Sequence, residues 1–157
     1  MTERSNDIPS AQDAVKPLER ARAGTLLLPR SRIRVVVADD SDALRRGIAD
    51  LLGTECEVTT ALPGGAGLIE TVSAMRPDVA VVDIALSGKS SLDTIRAISE
   101  KSPSTKVVVF SAYKEQACVR AARNAGARAY VFKSAPRTLI SSIRAVARGE
   151  LRFPDSA

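Results

Sequence analysis

Five polar side chains stand where the aliphatic runs of this sequence stop. Asp39 and Asp40 follow Ile33–Ala38, Asp83 closes a run that starts at Val79, Ser111 follows residues 107–110, and Lys133 follows Ala129–Phe132. Gathered in one place, they would form a cup of three carboxylates, one hydroxyl and one ammonium. Two like charges about 4 Å apart repel by about 4 kcal/mol at an effective dielectric of about 20, so such a cup calls for a further cation. Oxygen donors without nitrogen or sulfur suit a hard ion, Mg2+ first among them. A metal and a lysine beside a carboxylate are prepared to receive a phosphoryl group, with the carboxylate as nucleophile. Taken singly, each residue has an ordinary explanation. An Asp pair caps a turn or helix, Asp83 ends a strand, Lys133 is a solvated charge, Tyr130 is half-buried packing, and Ser111 alone says nothing. The signal lies in their joint occurrence at the ends of successive runs.

The elements that must position them follow from periodicity. Ile33–Ala38 is a β-branched run and reads as a buried strand. Leu44, Ile48, Leu51 and Leu52 fall at helical spacing. Residues 56–61 alternate as a weaker strand, and Pro63-Gly64-Gly65 marks a turn. Leu68, Val72 and Met75 suggest a second helix stopped by Pro77, followed by an apolar strand over residues 79–84. Leu92, Ile95 and Ile98 mark a third helix with Ser90 or Ser91 as its N-cap. Beyond the Ser102-Pro103-Ser104 loop come a buried strand at 107–110, an Ala-rich helix over 114–125, and a fifth strand at Ala129–Phe132. Pro136 suits the first turn of a last helix whose face carries Leu139, Ile143, Val146 and Ala147. Strands that are apolar throughout are covered on both faces, so five of them alternating with five helices predict an α/β fold around a parallel sheet. In such sheets ligands bind beyond the carboxyl ends of the strands, where the strand order reverses.

Composition narrows the chemistry. Among 157 residues there is no His and no Trp, and Cys56 and Cys118 lie far apart. That excludes a zinc site and any Ser–His or Cys–His pair, and leaves the cysteines as small core residues. The chain is long enough to bury a core without disulfides. Its N-terminus is charged where a signal peptide would be apolar, and no run approaches the length of a membrane span, so a soluble cytoplasmic protein is expected. Residues 1–31, with Pro9, Pro17 and Pro29, read as a flexible arm with one apolar patch at 26–28. The formal charge of +5 is uneven. From Lys114 onward nine Lys and Arg face three Asp and Glu, a basic surface suited to solvent or to an acidic partner. No helix-turn-helix, zinc or RNP pattern points to direct nucleic-acid binding.

Residues 32–150 resemble the receiver domain of two-component response regulators. The likeness runs through VVVADD at 35–40, VVD at 81–83, VVVFSA at 107–112 and GARAYVFKSA at 126–135. IRAVARGE at 143–150 is most similar to the NarL type, whose members carry a LuxR-type DNA-binding domain. The resemblance implies a doubly wound, flavodoxin-like sheet in the order 2-1-3-4-5. It implies Asp83 as phospho-acceptor for a sensor histidine kinase, Asp40 as a direct Mg2+ ligand, and Asp39 acting mainly through water. The backbone carbonyl of Ala85 would be a further metal ligand. Ser111 and Lys133 would contact the phosphoryl group, and Tyr130 would be the switch aromatic that reshapes a docking surface for a downstream partner or a second copy. Apart from slow self-dephosphorylation, no enzyme activity is implied.

The sequence departs from the family at Leu86-Ser87-Gly88, where the loop proline is missing, and at Ser134, where many members have proline. Residues 151–157 read as a short tail with no LuxR-type domain after them. A natural single-domain receiver and the front of a longer regulator both fit. Gly88-Lys89-Ser90 mimics a P-loop, but the position that the motif needs as glycine is Asp83. An aspartyl phosphatase would show a second Asp two residues on, and position 85 is Ala. The remaining rival is a pseudo-receiver, which keeps the fold only as a scaffold for protein binding. The missing loop proline favours it; the full acidic, Ser and Lys set does not.

Overall fold

The computed structural model describes residues 32–86 and 90–155. The expected arm over 1–31, its patch at 26–28, and Ser87, Gly88 and Lys89 lie outside these residues. Among the described residues five strands alternate with five helices: β1 (Ile33–Ala38), α1 (Asp42–Leu52), β2 (Cys56–Leu62), α2 (Leu68–Met75), β3 (Val79–Val82), α3 (Ser91–Lys101), β4 (Lys106–Ser111), α4 (Gln116–Asn124), β5 (Ala129–Phe132) and α5 (Thr138–Ala147). The strands form one parallel sheet in the order β2-β1-β3-β4-β5, as expected. The order reverses at β1, so the crevice between β1 and β3 is the topological switch point.

Alternation along the strands divides the core. Val36, Ala38, Ala80, Val82, Val107 and Val109 face the layer that holds Leu68, Val72, Ile95, Ile98 and Val119 of α2, α3 and α4. Val35, Val37, Val79, Val81, Val108 and Phe110 face Ile48 and Leu52 of α1 and Leu139, Ile143 and Val146 of α5. Two helices therefore cover one face and three the other, which is why β1, β3 and β4 are apolar at nearly every position. β2, at an edge, slips by one residue against β1 between Val35 and Val36. The Thr59 hydroxyl caps this bulge by donating to the Val35 carbonyl at 3.2 Å.

Several boundaries differ from expectation, each for a local reason. β3 stops at Val82, so Asp83 and Ile84 lie in the following turn rather than in the strand. Pro136 precedes α5 rather than sitting in its first turn. The helix opens at Thr138, whose N–H and hydroxyl both donate to the Ala135 carbonyl, at 3.1 and 2.8 Å. Ala147 is exposed, and Ala145 takes its place on the buried face. The helix expected over 114–125 starts at Gln116. Ser90 is the N-cap of α3, accepting from the Asp93 N–H. Cys56 is buried as expected, and burial pushes its thiol up despite nearby Arg32, whereas Cys118 is only half-buried.

The expected tail, residues 151–157, is packed over its described part. Gly149, at φ +91°, turns the chain back alongside β5. Arg152 then pairs with the outer edge of that strand: its N–H donates to Arg128 at 2.9 Å, and its carbonyl accepts from Tyr130 at 2.9 Å. Phe153 packs on the core beside Tyr130, with the Arg123 guanidinium 5.2 Å from its ring centre.

Candidate functional site

Strand register alone brings the chemistry together. Ala38 pairs with Val82, so the next residues, Asp39 and Asp83, emerge side by side at the switch point, and the Asp83 N–H donates to the Ala38 carbonyl at 3.0 Å. Ser111 pairs with Phe132, and Lys133 emerges one residue further on, its N–H bonded to the Ser111 carbonyl at 2.8 Å. From β5 the long Lys133 side chain spans back to the centre. Its Nζ lies 2.7 Å from Asp39 Oδ2 and 2.6 Å from Asp83 Oδ2.

Both carboxylates are almost fully buried, at 2% exposed for Asp39 and 7% for Asp83. Buried carboxylates need partners for their remaining oxygens. Asp39 Oδ1 accepts from the Ser41 N–H at 2.8 Å, and Asp83 Oδ1 accepts from the Ala85 N–H at 3.0 Å. Burial on its own would pull the Lys133 ammonium down. The hydrogen bonds to Asp39 and Asp83, together with their charges, outweigh it and hold the ammonium above its ordinary range.

Asp40 differs from its neighbour. It is exposed at the rim of the cup. A Cβ at Gly64, in the loop after β2, would stand 3.4 Å from Asp40 Oδ1, so the glycine leaves that carboxylate its room. The expected cup of three converging carboxylates is therefore two carboxylates on one lysine, with a third at the edge. Among the described residues, no group of three or more His, Cys, Asp and Glu side chains is gathered so as to hold a metal ion.

The hydroxyl side of the cup forms a second unit. Ser111 is wholly buried, and its Oγ accepts from the Tyr113 N–H at 3.1 Å. Tyr130 is 3% exposed, and its phenol donates to the Tyr113 carbonyl at 2.9 Å. Its ring meets Phe132 edge-on at 5.7 Å. Burial raises the Tyr130 pKa above 10.0; a hydrogen bond from Ser111 opposes this, and the charges of Cys118, Glu115 and Asp83 add to it. Ala85 and Tyr113 line one groove of about 530 Å3 between the loop after β3 and α4. Periodicity gave no hint of Arg45 on α1, whose Nη1 donates to the Asp39 carbonyl at 2.6 Å. A bond to a main-chain carbonyl leaves no residue-type pattern to read.

A sequence profile of the response regulator receiver domain matches residues 35–144. The chain belongs to this family. It is a receiver domain of two-component response regulators, with NarL-like relatives. It is 31% identical over 127 residues to the transcriptional regulatory protein YxjL of Bacillus subtilis, covering 79% of this chain and 58% of that protein. It is 30% identical over 125 residues to the nitrate/nitrite response regulator NarP of Escherichia coli, covering 78% of this chain and 58% of that protein. The chain thus spans under three fifths of these curated relatives. Among solved structures, the receiver domain of the response regulator NarL from Mycobacterium tuberculosis superposes with a TM-score of 0.73 at 29% identity, over 76% of this chain and 99% of that one. The receiver domain of RcsB from Salmonella enterica serovar Typhimurium, solved with the phosphomimetic BeF3-, gives a TM-score of 0.72. At 21% identity, with 80% of this chain and 95% of that one covered, it speaks for the fold alone. Among the described residues no helix is long and apolar enough to cross a membrane.

Proposed function

We propose that this receiver domain takes a phosphoryl group onto Asp83 from the phosphohistidine of a sensor histidine kinase. A carboxylate oxygen of Asp83 forms the new bond to phosphorus, the N–P bond breaks, and the imidazole leaves. The observation that carries this reading is Asp83 at the switch point, buried and held 2.6 Å from the Lys133 ammonium. Lys133 stands ready to offset charge on the transferred oxygens.

The donors around Asp83 fit Mg2+ by type: carboxylate oxygens of Asp39, Asp40 and Asp83, and the carbonyl of the exposed Ala85. Mg2+ keeps several waters and takes one or two carboxylates, so it does not need the three-carboxylate cage that is absent among the described residues. In this reading exposed Asp40 would be the direct ligand, and buried Asp39, whose oxygens accept from Lys133 and Ser41, would act through water. When bound, Mg2+ supplies charge neutralisation at the phosphoryl oxygens.

The aspartyl phosphate carries about two negative charges near neutral pH. It draws on Lys133 and Ser111, and through Ser111 on Tyr130, whose phenol and ring tie it to Tyr113 and Phe132. The response is a population shift at the surface of α4, β5 and α5. Exposed Arg120, Arg123, Arg148 and Arg152 make that surface basic, which suits an acidic downstream protein or a second copy. The setting is the cytoplasm, and the domain is no enzyme beyond its own phosphotransfer and slow dephosphorylation.

Intact-mass analysis after incubation with a small phosphodonor and Mg2+ tests the reading. One phosphoryl adduct, lost in Asp83→Asn, is expected. No adduct with any donor would leave the scaffold role of a pseudo-receiver.

A further inference from the structure

The first turn of α1 holds a contact that phosphotransfer chemistry does not itself require. The Arg45 side chain is only 14% exposed. It reaches back over the loop after β1, where its Nη1 bonds the main-chain carbonyl of Asp39 at 2.6 Å and its Nη2 pairs with Asp42 at 3.0 Å. The Asp39 carbonyl and the Asp40 amide belong to one planar peptide group. Holding the carbonyl therefore holds the amide and the Cα of Asp40, the point from which its carboxylate leaves the chain. Gly64 bounds the space that this carboxylate occupies.

We infer that Arg45 is a positioning residue for Asp40: by fixing the 39–40 peptide, it aims the Asp40 carboxylate at the Mg2+ position. The inference rests on the proposed function for the identity of the ion and of its ligand. It makes a prediction opposite in sign to simple electrostatics. Arg45 is a cation beside a cation site, so by Coulomb's law its removal strengthens Mg2+ binding. If it positions Asp40, its removal weakens binding.

Mg2+ titration of the unphosphorylated protein, followed by the amide shifts of Asp40 and Ser41, separates the two. Arg45→Ala is expected to weaken Mg2+ about tenfold, the low end of what losing a group that holds a metal ligand costs. Arg45→Lys keeps the charge but loses the fork that joins the Asp39 carbonyl to Asp42, and an intermediate weakening is expected. Arg46, 75% exposed and paired with the same Asp42, is the charge control. Arg46→Ala is expected to leave affinity unchanged or slightly tighter. Wild-type or tighter binding in either Arg45 variant overturns the inference, and so does equal weakening in Arg46→Ala. A wild type that binds Mg2+ but takes no phosphoryl group overturns the proposed function and leaves the role of Arg45 standing. A wild type that forms the adduct, with Mg2+ affinity unmoved by Arg45→Ala, overturns the role of Arg45 alone.

Discussion

The Lys133 ammonium lies 2.6 Å from Asp83 although 50 residues separate them in the chain. The same nitrogen holds Asp39 at 2.7 Å. One cation thus joins β1, β3 and β5 at the carboxyl edge of the sheet. Breaking one side of a buried ion pair costs about 3–5 kcal/mol. The Lys133 side chain is 20% exposed, which places its loss below that range. We expect Lys133→Met to lose about 2–3 kcal/mol of stability in urea unfolding at neutral pH, with Mg2+ restoring part of it by supplying another cation. A loss under about 0.5 kcal/mol, as for a surface pair, would mean that solvent already screens the contact.

The pH dependence has a definite sign. The folded state holds the Lys133 ammonium above its ordinary pKa of 10.5, so its contribution to stability is complete below that value and is lost as pH rises through the higher folded pKa. Tyr130 acts in the same window. Its neutral phenol is favoured in the fold, and stability falls as pH climbs past 10.0 toward its raised pKa. The urea midpoint is therefore expected to be insensitive to these two groups from neutral pH to about pH 9.5 and to fall steeply above about pH 10.5. Lys133→Met and Tyr130→Phe should each flatten part of that fall. An alkaline limb of unchanged steepness in the double variant would assign it to other groups.

How much of this was readable from residues alone depends on what each one contacts. β1 and β4 were plain because Val and Ile packed on both faces leave an unbroken apolar run. Asp83 reads as part of the strand because apolar Ile84 follows it, yet pairing with β1 ends at Val82. Ala147 and Ala145 could not be told apart, since a methyl group marks a helix face only weakly. The order and strand-end placement of Asp39, Asp83, Ser111 and Lys133 signalled the site. That Asp40 is exposed while Asp39 is buried did not show, because two adjacent carboxylates read alike in a sequence. Arg45 leaves no signal because it acts on a main-chain carbonyl, which every sequence has.

The packed tail carries its own prediction. Pro154 has no N–H, so the short ladder that Arg152 starts along β5 cannot take its next bond. The segment is therefore held mainly by Phe153. That ring is half-buried, and its truncation to Ala is expected to cost about 1–2 kcal/mol. The Arg123 contact contributes about 0.5 kcal/mol of this, since cation–π pairs at exposed sites are weak. Amide hydrogen exchange gives the sharper readout. In Phe153→Ala the Tyr130 N–H, bonded to the Arg152 carbonyl, should lose protection, while Val109 in β4 keeps its own. Unchanged exchange at Tyr130 would show that the two backbone bonds suffice.

The lifetime of the phosphorylated state depends on what Ala85 and Tyr113 can offer a water. Both line the groove between the loop after β3 and α4, which at about 530 Å3 has ample room for water. Hydrolysis needs more than access, because a water must be oriented against phosphorus by an acid or amide. Ala85 presents a methyl group, and Tyr113 is 48% exposed and offers only a phenol, with its main-chain N–H and carbonyl already bonded to Ser111 and Tyr130. Loss of the adduct, followed by intact mass after removal of the phosphodonor, is therefore expected to be slow. Ala85→Asn places an amide at the groove and is expected to speed that loss by about tenfold, a modest share of what orienting a reactant supplies. Decay of the wild-type adduct within seconds would mean that another group orients the water.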